Sequence, residues 1–147
     1  VLPDYVSVNL SEADAPEVIR QMLDMGIGVE AGLATVADAE RFVALPEAGQ
    51  CLRILIEIEE QEETAAKRVA QDIMLVLDAA GMVPLRQLHG FDASQWPLFE
   101  MAVKMGLDQR IGLEDGCLLP DGSVAAGNAD MIAAAAALIR LWRGESP

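Results

Sequence analysis

Two kinds of segment alternate along the chain. Short apolar, β-branched runs occur at Tyr5–Leu10, Gly26–Glu30, Cys51–Ile58, Leu85–His89 and Arg110–Glu114. Each has strand length, and each precedes a longer stretch of helical periodicity, at about 12–25, 36–45, 61–80, 95–106 and 128–143. In the third stretch Val69, Ile73, Val76, Leu77 and Ala80 recur at helical spacing. Start signals fit these bounds. Ser11 and Thr35 stand three residues before Asp14 and Asp38, as in a capping box with Asp in place of Glu. Ser94 can cap the fourth helix, with Pro97 in its first turn, and Asn128 the fifth. Gly26, Gly81 and Gly106 supply stops. The Ala-rich run 133–137 is a strong helix former placed to lie close against a sheet.

Five consecutive βα units predict an α/β fold with a parallel sheet and right-handed crossovers. An open doubly wound sheet buries nearly pure apolar strands on both faces. Here polar residues stand at or near the strands' C-terminal ends: Ser7 and Asn9, Glu30, Arg53 and Glu57, His89, then Arg110, Glu114 and Asp115. A (β/α)₈ barrel builds its active-site face in that way. No glycine-rich phosphate loop follows any strand. The pattern therefore favours five βα units of a TIM barrel, with residues 1–147 as one partial domain.

Composition narrows the function classes. Lys plus Arg number 10 against 24 Asp plus Glu, a net charge of −14, which argues against a nucleic-acid partner. The apolar stretch Met131–Ile139 is nine residues, far short of the roughly 20 a membrane span needs. No signal-peptide pattern is visible and two cysteines make no disulfide framework, so a cytoplasmic, reducing setting is expected.

Candidate chemistry gathers in Arg110-Ile-Gly-Leu-Glu114-Asp115. On a strand Arg110, Gly112 and Glu114 share a face. Two adjacent carboxylates can bind a metal or split their pKa values for acid–base work; the competing reading is a buried Arg–Glu bridge. Glu30 is a general base or an arginine's partner. Ser7 and Asn9 can orient a carbonyl or bond to neighbouring strands. His89 is the single histidine, more often a structural residue than a ligand, and cannot make a His-rich zinc site alone. The Glu59, Glu60, Glu62, Glu63 run reads as a solvated helix start, Cys51 and Cys117 as inert, and Trp96 and Trp142 as helix packing.

Taken in order, Pro3–Ser11, Gly26–Gly32, Leu52–Glu57, Leu88-His-Gly90, Arg110–Asp115 and Leu119–Ala129 resemble the C-terminal part of the β-keto acid cleavage enzymes, the family of the 3-keto-5-aminohexanoate cleavage enzymes. The Arg-x-Gly-Leu-Glu-Asp stretch is the strongest signal. The resemblance implies the C-terminal five βα units of a TIM (β/α)₈ barrel, a divalent metal, usually zinc, and a multimer, here a homo-oligomer. It implies condensation of a β-keto acid with an acyl-CoA, commonly acetyl-CoA, giving acetoacetate and a new CoA ester. It also implies roles: Glu114 as carboxylate metal ligand, Asp115 as catalytic carboxylate tuned by Arg110, Glu30 as assisting glutamate, Ser7 as substrate contact with Asn9 beside it. The family's His-x-His metal pair is absent from this sequence, so those ligands are expected in N-terminal βα units outside it, and Val1 reads as a cut inside a barrel. Two other readings stand beside this one: a half-barrel that only packs, and a metal-dependent aldolase-type lyase.

Overall fold

A computed structural model describes residues 1–143. Its main elements are β1 (Tyr5–Asn9), α1 (Ala15–Asp24), β2 (Gly28–Leu33), α2 (Val36–Val43), β3 (Arg53–Ile58), α3 (Glu63–Ala79), β4 (Leu85–Gly90), α4 (Gln95–Met105), β5 (Asp108–Gln109) and α5 (Asn128–Arg143). The five strands pair in parallel in chain order, β1-β2-β3-β4-β5. A doubly wound sheet reverses its order at a switch point. This one does not, and right-handed crossovers then place the helices on one face.

Side chains alternate across that sheet. Val8, Val29, Ala31, Leu33, Ile54, Ile56, Ile58 and Leu88 join Ile19, Phe42, Ile73, Leu77 and Leu98 of the helices in one core. Burying each of the large side chains contributes about 1.5–3 kcal/mol. The opposite face carries Ser7, Asn9, Glu30, Gly32, Arg53, Leu55, Glu57, Gln87 and His89, by the alternation of the same strands. The sheet is thus apolar towards the helices and mostly polar on its other side.

Several local expectations change. Ser11 does not cap α1; the N-cap is Asp14, without a side-chain cap bond, and Pro16 lies in the first turn. Thr35 and Asp38 do form the capping box of α2. Glu62 caps α3, accepting from the amides of Thr64 and Ala65 at 2.9 and 2.7 Å. Ser94 precedes α4, but its hydroxyl donates to the Phe91 carbonyl at 3.0 Å instead of capping. Asn128 begins α5, and its Oδ1 accepts from the Leu113 amide at 2.8 Å. Gly26, Gly81 and Gly106 have φ of +74°, +65° and +70°, which suits glycine at these helix exits. Ala133 and Ala137 face outward, while Met131 and Ala135 are buried; α5 lies mainly against α4, not the sheet.

Candidate active site

β2 starts two residues later than its apolar pattern suggests and continues to Leu33, so Glu30 is inside the strand and not at its end. Arg53 likewise opens β3. In register Ser7, Glu30 and Arg53 stand side by side. The Ser7 hydroxyl donates to Glu30 Oε1 at 2.5 Å, and Arg53 Nε donates to Oε2. Arg53 also lies over the Tyr5 ring, 5.3 Å from its centroid. Burial opposes the Arg53 charge, but the bonds and charges of Glu30 and Tyr5 outweigh it and raise the guanidinium pKa. Of the two readings open for Glu30, an arginine's partner is the arrangement found, and the arginine is Arg53.

The fifth strand is displaced. It covers Asp108–Gln109, paired with Gln87 and Leu88, and Arg110–Glu114 is not strand. A turn replaces it, closed by the Asp115 amide on the Gly112 carbonyl at 3.1 Å. The common strand face expected for Arg110, Gly112 and Glu114 therefore does not exist. The turn nonetheless brings the charged groups together. Arg110 Nη2 donates to Glu114 Oε1 at 2.5 Å and to Asp115 Oδ1 at 3.1 Å. Glu114 is exposed, whereas Asp115 is only 2% exposed.

The turn is fixed by bonds to its main-chain carbonyls. The Asp92 amide donates to the Asp115 carbonyl at 2.7 Å, and Gln95 Nε2 donates to the Gly112 carbonyl at 3.0 Å. Gly116 is needed here, because a Cβ would lie 2.8 Å from Gln95 Oε1 and 3.2 Å from the Asp92 backbone. Burial raises the Asp115 pKa; His89 and Arg110 pull it down, and Glu114 and Glu57 add to the rise.

Two residues gain a place that spacing did not give them. Glu57 and His89 are register partners on adjacent strands. Each His89 nitrogen faces one carboxylate: Nε2 is 3.5 Å from Glu57 Oε2 and Nδ1 is 3.6 Å from Asp115 Oδ1. The signal in the sequence was a lone histidine before Gly90 at a strand end, level with the acidic end of the preceding strand. Asn9, Gly32, Glu57 and Phe91 bound a cavity of about 250 Å³ beside this cluster. A Cβ on Gly32 would collide with Asn9 Oδ1 and come 2.9 Å from Glu57 Oε1.

The site residues fall into two groups. Ser7 and Glu30 sit with Arg53; Arg110, Glu114 and Asp115 sit with His89 and Glu57; Asn9 lies by the cavity. Along β3, Glu57 is four residues beyond Arg53, about 13 Å at strand rise. Among the described residues no three His, Cys, Asp or Glu side chains converge as a metal-binding group. Cys51 is buried, and burial foremost, with Glu47, pushes its thiol up to about 11, in keeping with an inert residue; Cys117 is exposed.

A parallel α/β domain with carboxylates and a histidine gathered at the strand exits is laid out as an enzyme. The chain matches the sequence model of the beta-keto acid cleavage enzymes over residues 3–145 and belongs to that family. Its function is accordingly of the kind that acts on β-keto acids. No curated protein matches the chain. No helix among the described residues is long and apolar enough to cross a membrane.

Proposed function

We propose that this chain is part of a zinc-dependent β-keto acid cleavage enzyme that condenses a β-keto acid with acetyl-CoA, giving acetoacetate and a new acyl-CoA. The observation that carries the reading is Asp115. Its carboxyl is 2% exposed, its Oδ1 is held by Arg110, and its Oδ2 is buried without a partner. A carboxyl with a raised pKa takes a proton from a weakly acidic group near neutrality better than an ordinary one. The Arg110 guanidinium beside it steadies the negative charge that develops.

In this reading Asp115 is the general base and Arg110 its electrostatic partner. Glu30 acts from the deeper layer, where Arg53 and Ser7 fix its carboxylate. Asn9 offers its amide to substrate oxygens, and Ser7, whose one proton goes to Glu30, keeps its lone pairs for a substrate donor. Glu114 fits one place in a divalent-metal shell, since its carboxylate is exposed and is a hard oxygen donor. A zinc ion held there would polarise the keto oxygen as a Lewis acid. The remaining ligands, expected to be a His-x-His pair, belong to βα units outside this sequence. Five parallel strands cannot close an eight-stranded barrel, and three more complete a TIM barrel in the proposal. A cytoplasmic homo-oligomer completes it.

The test uses the full-length protein with acetyl-CoA and a panel of β-keto acids. Asp115→Asn is expected to keep zinc and lose turnover; Glu114→Gln is expected to lower bound zinc. Unchanged zinc content and rate in Glu114→Gln would overturn the site assignment.

A further inference from the structure

His89 is 1% exposed, and neither ring nitrogen has a hydrogen-bond partner at the distances found. A core histidine ordinarily satisfies itself on backbone or water. This one instead has a carboxylate opposite each nitrogen, Glu57 at 3.5 Å and Asp115 at 3.6 Å. The ring is held there by Phe91, edge-on at 5.0 Å between centroids. One metal ion does not account for the arrangement, because the carboxylates face opposite nitrogens and no single ion reaches both. Two N–H groups, one towards each carboxylate, give both ring nitrogens a partner.

We infer that His89 is a positioning residue for Asp115, with Glu57 anchoring its far side. The inference rests on the proposed role of Asp115. Nδ1–H donates to Asp115 Oδ1, Nε2–H donates to Glu57 Oε2, and the line Glu57–His89–Asp115 fixes one carboxylate rotamer. Asp115 Oδ1 then has two donors, His89 and Arg110, and Oδ2 has none. Both separations are a few tenths of an ångström longer than a good hydrogen bond and shorten when substrate fills the site, as catalytic hydrogen bonds commonly do. The backbone supports this line. Glu57 and His89 are register partners, and the Asp92 amide holds the Asp115 carbonyl against the segment that follows His89.

The test measures kcat, KM and bound zinc in full-length His89→Gln, Glu57→Gln and the double variant, together with imidazole N–H signals by NMR. A misplaced reacting group costs up to about 100-fold. His89→Gln is expected to lower kcat by about 10- to 100-fold, with KM for the β-keto acid within about threefold and zinc unchanged. Glu57→Gln is expected to lower kcat less, and the double variant to be no worse than His89→Gln, because the residues act in series. Two N–H signals assigned through His89→Gln are expected in the parent, one of them lost in Glu57→Gln. A parental kcat in His89→Gln, or additive losses in the double variant, would overturn the inference. If His89→Gln does not fold, Glu57→Gln decides it: an unchanged kcat and unchanged N–H signals overturn it. If the parent turns over no β-keto acid, the proposed function fails separately. The N–H signals then decide whether the line exists, and their absence removes it.

Discussion

Replacing Glu30 by Gln separates a structural role for this carboxylate from a chemical one. The substitution keeps the shape and removes the charge. The Glu30 side chain is 6% exposed and its partner Arg53 is 25% exposed, so the pair lies between two limits. Breaking a fully buried pair costs about 3–5 kcal/mol, whereas an exposed pair is worth about 0–1 kcal/mol. The Gln carbonyl can still accept from Arg53 or from the Ser7 hydroxyl, and Arg53 keeps Tyr5 beneath it. A loss of about 1–2 kcal/mol follows, intermediate between the limits. For a chain of this size that lowers Tm by about 3–6 °C. Glu30→Ala leaves Arg53 without its carboxylate and opens a void, and is expected to cost about 3 kcal/mol. The assay is urea unfolding of the full-length protein for Glu30→Gln, Arg53→Met and the double variant. The cycle should return a coupling of at least about 1 kcal/mol. A coupling near zero would refute the argument that this pair holds the deeper layer together. Turnover in the same variants reads the second role, and a kcat loss beyond what the small stability change explains places Glu30 in the chemistry.

Two glycines test opposite faces of the sheet. In Gly90→Ala the new Cβ would lie 2.5 Å from Ser94 Oγ, 2.6 Å from Leu98 Cδ1 and 3.0 Å from the Ser94 carbonyl; a loss of about 2–3 kcal/mol is expected in urea. Gly32→Ala meets the ends of the Asn9 and Glu57 side chains, so stability falls by only about 1 kcal/mol while kcat/KM falls steeply. The Thr64 and Ala65 amides hold the Glu62 carboxylate below its usual pKa, so its cap stabilises α3 above the ordinary carboxylate range and is lost as pH falls through the depressed value. Hydrogen exchange of those two amides should speed up in Glu62→Ala, and the difference should vanish in acid. Asp115 has the opposite sign. Its raised pKa means the fold loses stability as pH rises from the unfolded value through the folded one. With chelator present, the stability difference between Asp115→Asn and the parent should move in favour of Asp115→Asn as pH rises from 4 to 8 in urea titrations.

Periodicity carried most of the fold. The strand at Cys51–Ile58 and the helix at 61–80 reappear as β3 and α3 within a few residues, because strong apolar spacing and burial agree there. The fifth strand did not, for a physical reason. Arg110-Ile-Gly-Leu-Glu alternates like a strand, but Gly112 and Asp115 close a turn that Gln95 and Asp92 clamp from β4's exit. Those clamps connect residues about twenty apart, and no local pattern records them. The same holds for the site. The Arg110, Glu114 and Asp115 cluster was legible because the residues are near neighbours in sequence. The partnership of Glu30 with Arg53, and of Glu57 with His89, depends on strand register, which alternation alone does not fix.

Register also explains why the polar face divides into two depths. Ser7, Glu30 and Arg53 form a closed ionic layer in which every charged oxygen has a donor. Such a layer is costly to disturb. About 13 Å further along the strands, His89 and Asp115 leave polar atoms unpaired, with Glu57 facing His89. Unpaired buried atoms cost stability, and proteins tend to accept that cost where the groups have work to do. The satisfied layer thus serves as a floor that holds β1, β2 and β3 in register, and the unsatisfied layer is where chemistry is to be expected. On this argument a variant of the floor should change Tm before it changes pH dependence. A variant of the upper layer should change the pH profile of kcat with little effect on Tm.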